Sequence, residues 1–591
     1  MSRGNKEGRF ETALGACKAP LLGSALALSL LLSAPAALQA QRRAVEAEHA
    51  MVVSAHELAT QAGVEILKKG GNSIDAAVAT GFALAVTFPF AGNIGGGGFM
   101  LIHLADGRDL VIDYRETAPA AATRDMYLDP AGNVLKGPGS STVGWRASGV
   151  PGTVAGFAHA HQKYGSGKVK WAALLEPARR LAADGHVVSQ ETAERFQKEV
   201  ELLERFDETK RIYLKNGSLW KAGELWKQPE LAATLVRLQK QGPEEFYTGE
   251  TARRIQEAMA KNGGTITRAD LKAYQPVERE PLRGTYRGHE IVTMPPPSSG
   301  GIALLQMLAM LEPFELAPMG HNSAAKYHLL VEVMRRAFRD RAEYLGDPDF
   351  VKVPVQQLLD RAYIARLMKN YDPARATASE GLAPGNPGAA EPQDTTHFSV
   401  IDAAGNAVSN TYTLNGAFGS GVTIPGTGIL MNNEMDDFTA KVGVKNLFGL
   451  LQGPLNAIEP GKRPLSSMTP TFVFKDGQLL LITGSPGGPT IINTVLQVIT
   501  NMIDHGMPVM AAVEAPRIHH QWMPDEMTHE RYGISPDTAE KLRAIGHTVR
   551  ERTSYEGANQ GDAETIAIDP QTGRRLGASD PRKADAKAIG F

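Results

Sequence analysis

From residue 372 to residue 393 the chain carries no helical or strand periodicity. The stretch DPARATASEGLAPGNPGAAEPQ is rich in Pro, Gly and Ala, the composition of an exposed loop or linker. The next twenty residues have the opposite character. Residues 394–402 and 407–413 are β-rich runs on either side of Ala403-Ala404-Gly405-Asn406, a strong hairpin signal. If residues 402 and 407 pair, partner numbers sum to 809, within about two for the loop type. Thr395 then lies opposite residues 413 to 415, at a strand start beside a second hydroxyl and an amide. A nucleophile could work there, and a Thr-rich edge strand is the plainer meaning of the same pattern. Composition alone leaves open whether 372–393 joins two independent domains or interrupts one.

Length argues for the first option, since 591 residues suggest about three to four domains of roughly 150 residues. Charge and cysteine content exclude whole classes. The formal net charge is −2, so no basic excess exists to displace counterions from a nucleic acid. Cys17 is the single cysteine, which rules out a disulfide framework and a Cys-built zinc site. It lies in a segment with its own logic. Arg3, Lys6, Arg9 and Lys18 precede an apolar run over 20–33 that ends in Ala34-Pro35-Ala36-Ala37-Leu38-Gln39-Ala40. This is the layout of a secretory signal peptide over residues 1–40, an uncleaved anchor being the alternative. Its removal leaves a body without a thiol, suited to the periplasm or the outside.

Along that body, 56–69 reads as a helix closed by Gly70-Gly71, and Asn72-Ser73 caps another through Phe82. Gly92-Asn93-Ile94-Gly95-Gly96-Gly97-Gly98-Phe99 then enters the strand-like run 100–104. No Lys-Ser/Thr follows and no helix opens, so this is no phosphate loop, and close backbone packing explains it better. Amphipathic runs over 172–184, 189–206 and 229–241 form a helical region within 170–275. His519-His520 has no HExxH or spaced partner set and reads as structural. No GxSxG elbow occurs.

Several motifs together carry a resemblance. Asp394-Thr395-Thr396-His397 follows the Pro/Gly/Ala stretch. After it come Asn432-Asn433-Glu434-Met435-Asp436-Asp437-Phe438, Pro464-Leu465-Ser466-Ser467-Met468 and Gly484-Ser485-Pro486-Gly487-Gly488. Earlier stand the glycine run, Asp113-Tyr114-Arg115-Glu116 and Pro295-Pro296-Pro297-Ser298-Ser299-Gly300-Gly301. In this order the chain closely resembles the γ-glutamyltranspeptidases, from about residue 45 to beyond residue 580.

The resemblance implies an α/β N-terminal-nucleophile hydrolase fold, a four-layer αββα sandwich. It also implies a precursor that cuts itself between Asp394 and Thr395 into a large subunit, 41–394, and a small catalytic one, 395–591. Cleavage makes chemical sense: it frees an α-amine, of reference pKa about 8, on the residue whose hydroxyl must be activated. The roles implied are Thr395 as nucleophile, Thr413 as the hydroxyl that orients it, and the Gly487 and Gly488 N–H groups as the oxyanion hole. For a γ-glutamyl head group, Arg115, Ser466 and Ser467 are the α-carboxylate donors, and Asp437, Glu434 and Asn415 hold the ammonium. Donors would be glutathione and other γ-glutamyl compounds, acceptors water, amino acids or peptides. No metal or organic cofactor is implied. Residues 440–459 resemble the lid of lid-bearing bacterial members, with Phe448 where these often carry Tyr. Loss of that hydroxyl predicts a looser lid and relatively more hydrolysis. A glutaryl (cephalosporin) acylase of the same fold and a non-catalytic periplasmic amino-acid-binding protein are the competing readings.

Overall fold

The computed structural model describes residues 42–382, 395–552 and 559–591. The expected leader, 1–40, and Asp394, one side of the expected cleavage site, lie outside the described residues. Residues 42–591 form one unit, so the several domains suggested by length are not separate bodies.

Two antiparallel sheets of seven strands each organise the described residues. In spatial order, the first runs Lys587–Gly590, Met51–Ser54, Thr396–Ile401, Ala407–Thr413, Gly97–His103, Asp109–Asp113 and Val277–Arg279. The second runs Val45–Ala47, Arg575–Ala578, Thr565–Ile568, Gln478–Thr483, Thr471–Lys475, His289–Thr293 and Leu282–Tyr286. Their facing surfaces enclose one apolar core in which Met51, Val53, Phe99, Leu101 and Val111 meet Val292, Phe472, Ile482 and Ile566. The outer face of the first sheet, with Val52, Met100, Phe398, Val400 and Val408, packs under helices Glu57–Lys68 and Ser73–Thr87. Helices Gly300–Leu311, Ala324–Tyr344 and Thr490–Ile503 cover Ile291, Val473 and Leu481 of the second. The four layers are therefore αββα, as the resemblance implies.

The hairpin forms at the centre of the first sheet. Thr396 pairs with Tyr412 and Ile401 with Ala407, a sum of 808, one away from the expected value. Asp402 does not pair but folds the turn, its carboxylate accepting from Ala404 N, Asn406 N and Asn406 Nδ2. Alternation then decides function. Phe398 and Val400 face the helices, while His397, Ser399, Ser409 and Thr411 face the second sheet. There Ser399 Oγ donates to Glu564 O at 2.7 Å and Ser409 Oγ to Thr483 O at 2.9 Å. Continuing the register one step sets Thr395 across from Thr413, both on this polar inner face.

Three local expectations change. The strand after the glycine run starts at Gly97, within the run itself. The amphipathic run 189–206 is two helices, Gln190–Lys198 and Val200–Leu203, broken at Glu199. The stretch read as loop from 372 stays built into the fold as far as 382, with Ser379 fully buried and its N–H on Asp525 at 2.8 Å.

Candidate active site

Thr395 is buried, 7% exposed, at the head of an inner strand. Its neighbour across the hairpin, Thr413, accepts a hydrogen bond at Oγ1 from Asn415 N at 2.8 Å. Asn415 sits at φ +79°, a left-handed conformation that Asn tolerates better than most residues. Its Nδ2 donates to Asn433 O at 3.0 Å. The Thr413 carbonyl is clamped by Asn93 Nδ2 at 2.8 Å, and a side chain at Gly96 would collide with it. The glycine run is thus explained by close packing: added Cβ atoms at Gly95, Gly96, Gly97 and Gly98 would strike the carbonyls of Leu430, Thr413, Tyr114 and Thr411.

The Gly484–Gly488 segment leaves the second sheet and turns into helix Thr490–Ile503. Gly487 at φ +125° and Gly488 at φ +52° adopt conformations that suit glycine. Thr490 N and Oγ1 both donate to Gly487 O, at 3.0 and 2.8 Å, anchoring the turn to the helix N-terminus, where partial positive charge suits an oxyanion. His397 fills the space beside Gly484. Although it stands two residues from Thr395, it is no proton acceptor there: burial pushes its pKa down to about 3, and its ring nitrogens meet Thr411 and Ser399.

Beyond the hairpin lies a buried charged cluster. Arg115 donates from Nη1 to Glu434 and from Nη2 to Asp437, and from Nε to Pro464 O at 3.4 Å. The sequence reading set this cation and these anions at opposite ends of a substrate; here they neutralise one another directly. A guanidinium has five N–H groups, so one on each terminal nitrogen is left beyond these bonds, with Glu116 at 3.8 Å from Nη1. Burial raises the Glu434 and Asp437 carboxyls against the pull of Arg115, and pushes Glu116 behind them up to about 8. Asp437 also accepts from Asn446 Nδ2 at 3.2 Å. Ser466 Oγ accepts from Met468 N at 3.1 Å, and Ser467 Oγ from Arg341 Nη2 at 3.3 Å. Every predicted site residue among those described is buried. Pairing and hydrogen bonds gather Arg115, Glu434 and Asp437 into one cluster, and Thr395, Thr413 and Asn415 into another.

Over the glycine turn lies Phe448, 5% exposed, its ring against Gly488. Its backbone carbonyl accepts from Gln521 Nε2 at 3.3 Å. The support behind Gln521 includes one of the two histidines read as structural. Asn493 Nδ2 donates to His520 O at 3.0 Å and so must also donate to His519 Nδ1 at 2.7 Å. This leaves His519 with a proton on Nε2, which meets Gln521 Oε1 at 2.8 Å. Burial holds the His519 pKa down at about 3, so the ring stays neutral. Phe448 is therefore tied by its main chain, through Gln521 and His519, to the helix that follows the Gly487-Gly488 turn.

Arg341 and Gln521 escaped sequence reading because neither stands in a spaced motif. Ser299, which accepts from Arg341 Nε at 2.9 Å, does lie in the PPPSSGG run. His328, Glu332 and His547 are grouped as metal ligands could be. Their donors are already used: His328 Nδ1 meets His547 Nε2 at 2.7 Å, and Glu332 is held by Arg336 and Thr377 N.

Two facing antiparallel sheets between helical layers, with a threonine at the head of an inner strand, define the N-terminal-nucleophile hydrolase class. A model of the gamma-glutamyltranspeptidase family matches residues 59–590. The glutathione hydrolase proenzyme of Escherichia coli (strain K12) is 48% identical over 550 residues, covering 93% of each chain. Cephalosporin acylase from Bacillus halodurans has a similar structure, with a TM-score of 0.83 at 30% identity over 94% of this chain and 98% of that one. The gamma-glutamyltranspeptidase from Pseudomonas nitroreducens complexed with L-DON gives 0.53 at 46% identity, over 56% of this chain and 96% of its own. The chain belongs to the γ-glutamyltranspeptidase family.

Proposed function

We infer that this protein is a self-processing γ-glutamyltransferase and glutathione hydrolase. The observation that carries the mechanism is the hairpin register, which sets Thr395 across from Thr413 on the inner face of the sheet. Cleavage of the Asp394–Thr395 bond yields subunits 41–394 and 395–591 and frees the Thr395 amine. That amine takes the hydroxyl proton as Oγ attacks the γ-carbonyl of the donor. The tetrahedral oxyanion is met by the N–H groups of Gly487 and Gly488, each such donor being worth about 3 kcal/mol in the transition state. Collapse expels the amine of the leaving peptide, protonated by the same group, and leaves a γ-glutamyl ester on Thr395. Water or an acceptor amine then displaces Thr395 Oγ by the reverse proton path.

Arg115 with Ser466 and Ser467 holds the α-carboxylate, and Asp437, Glu434 and Asn415 hold the ammonium. Amino acids and peptides are the acceptors. The leader pattern supports export to the periplasm or beyond, and no helix among the described residues is long and apolar enough to cross a membrane. A glutaryl acylase is favoured by the similarity to cephalosporin acylase. The buried carboxylates of Asp437 and Glu434 favour the γ-glutamyl reading, because a glutaryl chain has no ammonium to match them.

The test compares wild type with Thr395→Ala on a denaturing gel and on γ-glutamyl and glutaryl anilides. Two bands and γ-glutamyl turnover for wild type, with one band and no turnover for the variant, are expected. An uncut but active wild type would sink the maturation mechanism, and turnover of the glutaryl anilide alone would favour the acylase.

A further inference from the structure

One buried cation near the charged cluster has no counter-charge paired with it among the described residues. Arg341, in the last turn of helix Ala324–Tyr344, is 2% exposed. Its Nε donates to Ser299 Oγ and its Nη2 to Ser467 Oγ, while Nη1 is buried with no hydrogen-bond partner. No carboxylate pairs with it among the described residues; Asp437 acts on it only at longer range. Arg115 differs sharply, with Glu434 and Asp437 both against it. A buried guanidinium without a counter-charge is costly to fold around, and its unsatisfied Nη1 calls for an explanation.

The hydrogen-bond directions supply one. A hydroxyl that accepts from a guanidinium keeps its own proton for another acceptor, so Arg341 makes Ser467 a donor toward the site. Ser299 Oγ accepts from Arg341 and donates to Ser466 O at 2.7 Å, which holds the neighbouring serine on the same scaffold. The Ser466 hydroxyl, accepting from Met468 N, is likewise left with a proton to give.

We propose that Arg341 is a second cation for the donor's α-carboxylate, setting the Ser467 hydroxyl as a donor and offering its free Nη1 to the same anion. This rests on the γ-glutamyl reading above. It makes recognition of the carboxylate depend on two arginines, one already neutralised by the ammonium-binding acids and one waiting for the ligand's charge.

The test uses the processed enzyme and Arg341→Met and Arg341→Lys. Self-cleavage on a gel reports folding, thermal midpoints report stability, and kinetics are taken on γ-glutamyl, glutaryl and 4-aminobutanoyl anilides. The first two substrates keep the carboxylate and the third lacks it. For Arg341→Met the expectation is at least a tenfold rise in KM for both carboxylate-bearing donors, with kcat within threefold. The 4-aminobutanoyl kcat/KM should change by less than twofold, and the thermal midpoint should not fall. If the methionine variant does not self-cleave, Arg341→Lys decides: its three N–H donors sit on one nitrogen and cannot stand where Nε, Nη2 and Nη1 stand toward Ser299, Ser467 and the ligand, so KM still rises at least fivefold for carboxylate donors only. Unchanged KM, or an equal loss on all three substrates, overturns the proposal. A wild type inactive on the γ-glutamyl anilide overturns the underlying reading instead.

Discussion

Replacing Gly488 by alanine separates the Phe448 contact from the proposed oxyanion donation, because the backbone N–H survives the change. Two costs can be worked out. Gly488 has φ +52°, where an L-residue is disfavoured by about 1 kcal/mol. The new methyl would stand 3.0, 3.2 and 3.4 Å from Cδ1, Cγ and Cε1 of Phe448, so ring or turn must yield by a few tenths of an ångström. A 1 Å misplacement costs on the order of a hundredfold in rate, so this smaller one should lower kcat about threefold to tenfold. The assay is steady-state turnover of a γ-glutamyl anilide, with and without an acceptor, after a gel has shown that the variant is processed. In a double-mutant cycle with Phe448→Leu, most of the loss should disappear once the ring is gone, a coupling of about 1 kcal/mol. A loss of a hundredfold or more whatever residue occupies 448 would refute this reasoning and locate the damage in the turn itself. No loss at all would show that the ring does not rest on Gly488 during turnover.

Three further predictions concern the lid and the buried acid. Phe448→Tyr should raise the transfer-to-hydrolysis ratio, measured with an amino-acid acceptor, and no increase would remove the looser-lid idea. Gln521→Glu keeps the acceptor for His519 but cannot donate to Phe448 O; loss of that hydrogen bond, about 1 kcal/mol, should lower kcat by about fivefold in processed enzyme. Kinetics identical to wild type would show that Gln521 does not hold the lid. Glu116, lifted by burial from 4.5 to about 8, is favoured by the fold in its protonated form. Its contribution is complete below about pH 4.5 and is lost as pH climbs through 8, at about 1.4 kcal/mol per unit of separation. Glu116→Gln should therefore flatten the fall in denaturant midpoint between pH 5 and pH 8, and parallel slopes for both proteins would contradict the assignment.

Local patterns were enough for the elements nearest the chemistry. Alternation with a Gly-Asn turn predicted the hairpin to within one residue of register, because strand side chains repeat every two residues and the loop sets the pairing. The glycine run, too, could be read as close packing before its neighbours were known. The sequence reading was less successful where composition stood in for structure. Residues 372–382 look like linker, yet Ser379 is locked to Asp525, 146 residues away, a contact that no local window contains.

The site divides in the same way. By itself the sequence determined which residue types are present and, through ordered motifs, the family and a candidate set from Arg115 to Gly488. Only the tertiary structure decided how they meet. Arg115 reaches Glu434 across 319 residues and Arg341 reaches Ser467 across 126. Burial then sets which charges are neutralised, as Arg115 is by Glu434 and Asp437, and which keep an unused donor, as Arg341 does at Nη1. That balance arises only when separate layers close on one another, since desolvation and pairing depend on neighbours in space, whereas periodicity records only neighbours along the chain.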